Sequence, residues 1–216
     1  MITRRILFAT GAATALFALA ALPGFAEDAG LYAAPPPPDA AFVRLLNADT
    51  SADATLNVAG VTLSAAAGGL SAYSFVTKGD YAAAIPGGSL TVSFAPQKFY
   101  TVLLNPAGQN SVIEDNPVTN PVHAGLYFYN LSAAPLALEA TVGKTQAAVF
   151  KDVAPGQAAW REVNAFDVTF AVSNGGEASV ALPAISLVRQ QGVSIVALQQ
   201  GDKLTAFQVL NALATN

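Results

Sequence analysis

The sequence has no cysteine, one histidine, one tryptophan and few charges; only 11% of its 216 residues are Asp, Glu, Lys or Arg. Without cysteine, disulfides, thiolate metal sites and cysteine nucleophiles are all excluded. One histidine, His123, leaves little room for imidazole chemistry, and no G-x-S-x-G elbow supplies a serine nucleophile for it. Ten basic residues against 14 acidic ones give a net charge of -4, which argues against nucleic acid held in a basic groove. After residue 26 no apolar run reaches the ~18 residues of a membrane-spanning helix. The glycine pairs Gly68-Gly69 and Gly87-Gly88 have no helical pattern behind them, so they read as turns rather than phosphate cradles.

The first 26 residues carry a different signal. Arg4-Arg5 precedes an apolar or small stretch from Ile6 to Leu22, and Gly24 and Ala26 stand at small-residue positions before Glu27-Asp28. This is the layout of a secretory signal peptide, with cleavage expected near Ala26 and a periplasmic destination. Residues 27–41 then form an arm stiffened by Pro35-Pro36-Pro37-Pro38, which favours extended polyproline geometry.

From Phe42 onward the pattern is that of short strands separated by Gly, Pro and Asn turns. Leu90-Thr91-Val92-Ser93-Phe94 shows the clearest two-residue period, with large apolar residues at alternate positions. Strands are expected at Phe42–Asn47, Ala54–Val58, Ser71–Val76, Tyr81–Ile85, Ser89–Ala95 and Lys98–Leu104. A polar, proline-bearing stretch follows, with Val112-Ile113 as its one candidate edge strand. The pattern then restarts at Leu126–Asn130 and continues through seven further strands to Ala206–Leu210. Asn174-Gly175-Gly176 is a hairpin signal.

The halves also resemble each other. Phe42–Asn47 and Leu126–Asn130 each end in Asn, and Lys98–Leu103 echoes Gln191–Val196. The expected fold is all-β, with two tandem immunoglobulin-like antiparallel β-sandwich domains after the cleaved signal peptide. The divisions are 1–26 signal peptide, 27–41 arm, 42–106 first sandwich, 107–121 linker and 122–216 second sandwich.

Few residues carry chemistry. Asp49 with Asp53, and Glu114-Asp115-Asn116, offer too few oxygens for a calcium site; both read as solvated acidic loops, the second equally as a short acidic patch for a basic partner. The expectation is no metal, no cofactor and no catalytic set. Aromatic residues at strand positions read mainly as packing. Trp160 beside Arg161-Glu162 is the exception, a lone indole among small and charged neighbours.

Several ordered segments together resemble a known family. Leu31-Tyr32, Phe42-Val43-Arg44-Leu45-Leu46-Asn47, Gly79-Asp80-Tyr81, Tyr100-Thr101-Val102, Val112-Ile113-Glu114-Asp115, Tyr129-Asn130-Leu131-Ser132 and Arg161-Glu162-Val163-Asn164 are similar to AlgF-type proteins. These are periplasmic alginate biosynthesis proteins needed for O-acetylation of the polymer. The resemblance implies a non-enzymatic adaptor for an alginate-like exopolysaccharide, with periplasmic or membrane-associated polysaccharide acetyltransferases as partners and the polymer as a further candidate. Partner contacts are expected at Tyr32, Arg44, Asn47, Trp160, Arg161 and Glu162. The alternatives are an acetyl carrier or transferase acting directly in that pathway, and a generic exported binding module. Nucleic acid is not an expected partner, and the mature chain is expected to have no transmembrane segment.

Overall fold

The computed structural model describes residues 36–86, 88–106, 110–174 and 179–214. The expected signal peptide, most of the expected arm and Tyr32 lie outside them. The described chain is all-β and builds two sandwiches of matching design. In the first, β1 (Ala40–Asn47), β4 (Ser74–Thr77), β7 (Phe99–Leu104) and β8 (Ser111–Asp115) form a sheet in the order β4-β1-β7-β8. Over it lie two hairpins, β2 (Ala54–Val58) with β3 (Val61–Ala65) and β5 (Gly79–Ile85) with β6 (Gly88–Phe94). In the second, β9 (His123–Leu131), β12 (Ala158–Asn164), β16 (Gly192–Gln200) and β17 (Lys203–Leu210) form a sheet in the order β12-β9-β16-β17. It is covered by β10 (Leu136–Val142), β11 (Thr145–Val153), β13 (Asp167–Ser173) and β14 (Ser179–Ala181), with the short β15 (Ile185–Ser186) on β13.

The two sheet orders superpose strand for strand, so the internal echo in the sequence is a structural repeat. Phe42 pairs with Phe99 and Asn47 with Leu104, while Gly125 pairs with Gly192 and Asn130 with Ala197. Both of these central pairings are parallel, a departure from the all-antiparallel expectation. Strands joined by tight turns must run antiparallel, but β1 and β7 are separated by five strands and are free to meet in the same direction.

The stretch 107–121, expected as linker, contains β8, which pairs antiparallel with β7 from Phe99↔Asp115 to Leu103↔Ser111. The expected edge strand at Val112-Ile113 is therefore five residues long and belongs to the first sheet. Strand β3 gave no sequence signal of its own. Its turn is Ala59-Gly60, with φ of 54° and 77°, and an alanine in the left-handed region is not a residue that marks a hairpin.

Each sandwich has its own core. Val43, Leu45, Leu56, Val92 and Val102 belong to the first, and Leu126, Phe128, Leu138, Phe170 and Ile195 to the second. A third cluster, including Leu46, Leu103, Tyr127, Tyr129, Val196 and Leu198, joins the two. The β1/β7 sheet and the β9/β16 sheet therefore pack face to face, and their central strands are buried on both sides. Along β1 the alternation persists beneath this burial. Val43 and Leu45 face the first core, while Arg44 and Leu46 face the other sandwich. Near-continuous apolar runs are what two buried faces require.

Candidate functional site

The joint between the sandwiches holds the main concentration of buried polar groups among the described residues. At its centre is Arg44 on β1, 1% exposed. Its Nε–H donates to Thr101 Oγ1 on β7 (2.8 Å), and Nη1 donates to Asn211 Oδ1 (2.8 Å) just beyond β17. Nη2 donates to Tyr129 OH on β9 (2.7 Å) and to Ser194 Oγ on β16 (3.0 Å). The guanidinium also lies 4.3 Å from the centre of the Tyr73 ring and 5.6 Å from that of Tyr129. Its counter-ion is Asp115 at the end of β8, 3.5 Å away and 4% exposed. The carboxylate accepts from Tyr73 OH (2.8 Å), Thr101 Oγ1 and Tyr129 OH. Ser194 Oγ donates in turn to Asn211 Oδ1 (2.7 Å).

Every donor–acceptor chain in this cluster connects the two sandwiches or supports a residue that does. A buried ion pair survives only where additional hydrogen bonds complete its shell, and these do. Burial draws the Arg44 guanidinium down, but Tyr129, Tyr73 and Asp115 more than offset this and hold it above its ordinary value. Burial likewise pushes the Tyr73 and Tyr129 phenols up, and the Tyr127 phenol up to about 12. All three are neutral donors at any physiological pH.

The sign of the linkage follows. A phenol raised in the folded state contributes stability that is fully present below its unfolded value near pH 10 and is lost as pH rises beyond it. Stability is expected to fall above about pH 10, and Tyr73→Phe should make that fall shallower in denaturant titrations across pH 8–12. An identical slope in wild type and variant would contradict the assignment.

The C-terminal segment clasps the first sandwich across this joint. Tyr73 N–H donates to Ala212 O (2.9 Å) and Ala214 N–H donates to Tyr73 O (2.7 Å), so Leu213 pairs in parallel with Tyr73. Space for Asn211 comes from Gly192, where a Cβ would lie 2.4 Å from Asn211 Nδ2 and 2.9 Å from the Tyr127 ring. Gly192→Ala is expected to cost about 1–3 kcal/mol by displacing the Asn211 side chain from Arg44. A loss below about 0.5 kcal/mol in a urea titration would show that the site relaxes freely.

Of the residues expected to meet partners, Arg44 and Asn47 are placed in the interior, because their strand is covered on both faces. Asn47, 1% exposed, pins a strand end. Its Nδ2 donates to Ala52 O (2.8 Å) and Ala66 O (3.1 Å), and its Oδ1 accepts from Asp49 N–H (3.0 Å). Asn130 does the same in the second sandwich, with Ala134 O (2.8 Å), Val153 O (2.7 Å) and Ser132 N–H (2.9 Å).

Trp160, Arg161 and Glu162 lie on the edge strand β12, where alternation separates Arg161 from the other two. Trp160 is half-buried against the joint, its ring 6.4 Å from that of Tyr127. Arg161 is exposed and reaches Val149 O at 3.3 Å. Glu162 anchors the segment entering the second sandwich. Its Oε1 accepts from Thr119 N–H (2.6 Å), Thr119 Oγ1 (2.9 Å) and Asn120 N–H (3.2 Å), and its Oε2 lies 3.2 Å from His123 Nδ1. The Thr119 backbone and hydroxyl bonds, helped by Asn120 and His123, hold this carboxyl down at about 2.

A carboxyl lowered on folding contributes stability above its unfolded value near 4.3, and that contribution is lost as pH falls toward 2. Glu162→Gln is expected to flatten the acid limb of stability between about pH 4.5 and 2 while leaving the fold intact, as read by circular dichroism across that range. An unchanged limb would contradict it.

Nothing local in the sequence groups Tyr73, Thr101, Tyr129, Ser194 and Asn211, and Asp115, expected in a solvated acidic loop, is instead buried because β8 carries it into the joint. The available signal was Arg44 itself, a charge inside the otherwise apolar strand Ala41-Phe42-Val43-Arg44-Leu45-Leu46. The acidic loops at Asp49 and Asp53 are internally satisfied. Asp49 Oδ1 accepts from Ser51 N–H (2.8 Å) and Asp53 Oδ1 from Ala67 N–H (2.9 Å).

Two repeated sandwiches fused through a buried, hydrogen-bonded joint define a tandem β-sandwich protein. A family model described as "Alginate O-acetyl transferase AlgF" matches residues 14–194. The chain belongs to the AlgF family. It is 31% identical over 210 residues to the alginate biosynthesis protein AlgF of Pseudomonas syringae pv. tomato, covering 97% of this chain and 93% of that protein. It is also 31% identical over 203 residues to the AlgF of Pseudomonas aeruginosa, covering 94% and 93%. The AlgF of Azotobacter vinelandii is 29% identical over 180 residues, covering 83% and 82%. Among solved structures, the C-terminal domain of AlgF from P. aeruginosa matches with 31% identity and a TM-score of 0.37, covering 42% of this chain and 99% of that one.

Proposed function

We propose that this chain is a periplasmic, non-enzymatic adaptor in the O-acetylation of an alginate-like exopolysaccharide, holding acetyltransferase partners near one another. Its place in alginate biosynthesis and O-acetylation rests on family membership. The adaptor role rests on one observation: the main buried polar cluster, Arg44 with Asp115 and their hydroxyl and amide partners, is committed to locking the two sandwiches together. A rigid pair of sandwiches holds bound partners at a fixed spacing, which raises their local concentration with no chemistry of its own. The periplasmic setting follows the signal-peptide pattern of residues 1–26 and the alginate context of the family.

A second reading has its own support, because the family model is described as a transferase. In that case the chain carries the acetyl group itself, and His123 is its one imidazole. The test is polymer acetylation in a strain lacking the protein, complemented with wild type or with His123→Ala. Acetylation lost on deletion and restored by both is the expected result. Restoration by wild type alone would favour the transferase, and unchanged acetylation on deletion would overturn both readings.

A further inference from the structure

A groove of about 650 Å3 runs along one edge of the joint, between the start of β1 and the turn that precedes β16. Its floor is aromatic, with Phe42, Phe99 and Tyr127. Its rim carries two large side chains that the fold leaves out in water, Val188 at 50% and Leu213 at 48% exposure. Large exposed apolar groups at the rim of a concave surface mark an interaction site more strongly than scattered ones do.

The groove also has one sign of charge. Among the described residues Arg189 is its only charged lining residue, is exposed, and has no acidic partner. This is a cationic point on a chain whose net charge is -4. The turn that presents it is fixed rather than loose. Gln190 sits in the left-handed region at φ 61°, its N–H donates to His123 O at 2.7 Å, and Gln191 N–H donates to Val188 O at 3.2 Å.

We propose that this groove receives an extended segment of a protein partner, one that sets a large apolar side chain beside a carboxylate. The apolar group fills the space between the aromatic floor and the Val188–Leu213 rim, and the carboxylate meets the Arg189 guanidinium at the exposed end. A polyuronate fits less well, because it carries a carboxylate on every sugar and the groove offers a single cation against aliphatic walls. The proposal deepens the adaptor reading and rests on it, since it assigns that reading a contact surface.

The test places a photoreactive benzophenone amino acid at Val188 of the full-length protein in an alginate-producing strain. The control site is Val142, also exposed, at the end of β10 and outside the groove. The expected result is an adduct from position 188 alone. Mass spectrometry should map it to one segment of a protein of the acetylation machinery, with Asp or Glu next to a large apolar residue. Arg189→Glu should lower its yield about tenfold or more, as reversal of a complementary charge does. Adducts with the polymer, with a second copy of this chain, or equally from position 142 would overturn the proposal, as would indifference to Arg189→Glu.

The same strain separates this proposal from the reading beneath it. Unchanged acetylation on deleting the protein sinks the adaptor itself. Acetylation lost on deletion but fully restored by the Val188→Asp/Arg189→Glu variant sinks only the groove.

Discussion

Replacing Asp115 with leucine is expected to destabilise the protein by about 3–5 kcal/mol, the usual loss when one partner of a buried ion pair is removed. The variant leaves the Arg44 guanidinium in the joint with only neutral acceptors, Thr101, Tyr129, Ser194 and Asn211. It also strips an acceptor from the Tyr73 and Tyr129 hydroxyls. Arg44→Leu should cost a similar amount, because the Asp115 carboxylate loses its cation at 4% exposure. The double variant is expected to cost much less than the sum of the two, since no charge then remains buried. Urea titrations of the four proteins measure the cycle directly. A loss under about 1 kcal/mol for either single variant would mean that the joint is held by apolar packing of Leu46, Leu103, Val196 and Leu198 rather than by the pair.

The second large effect is expected at the two asparagine pins. Asn130→Asp and Asn47→Asp each place a carboxylate oxygen where Nδ2 donates to two backbone carbonyls. Two donations become two repulsions inside a site that is 0% or 1% exposed, and each variant should lose about 3 kcal/mol or more. The new carboxyl would be raised in the folded state, because burial and facing oxygens favour its neutral form. Relative to wild type, the penalty should be full above that raised value and should shrink as pH falls from there toward the ordinary carboxylate value, below which it changes no further. Denaturation midpoints at pH 7 and pH 4 read both parts. A pH-independent penalty would show that the loss comes from shape and not from charge. A large effect in only one sandwich would show that the repeat is not energetically equivalent.

The elements that sequence pattern identified are those with local punctuation. Strands β5 and β6 flank Pro86-Gly87, and β13 precedes Asn174-Gly175-Gly176, so turn chemistry marks their ends. Strand β3 escaped because Ala59 carries the left-handed turn conformation without advertising it, and β15 escaped because it is two residues long. The internal repeat was legible, and its register holds strand for strand. Phe42–Asn47 corresponds to Gly125–Asn130, and Phe99–Leu103 to Gly192–Val196, with each partner paired in parallel.

The residues singled out for partner contact divide differently. Arg44 is a charge in an apolar strand, but a strand pattern does not distinguish a covered second face from a solvent face. Trp160, Arg161 and Glu162 are neighbours in sequence, and the two-residue period of β12 puts Arg161 on the face opposite Trp160 and Glu162. Arg189, by contrast, lies in a turn with no local pattern, and only the fold sets it above an aromatic floor.

The sequence by itself determined that this is an all-β chain in two similar halves and a member of the AlgF family. Those properties reside in residue types at short spacing: alternation, turn residues and short motifs in a fixed order. The tertiary structure decided that the two central sheets meet face to face, that Arg44 and Asp115 pair between them, and that a groove opens along the edge of that contact. These depend on groups brought together across long separations, such as Arg44 with Asn211, which share no local signal. The period of a strand states which residues share a face, but the partner for that face is set only when the whole chain has packed.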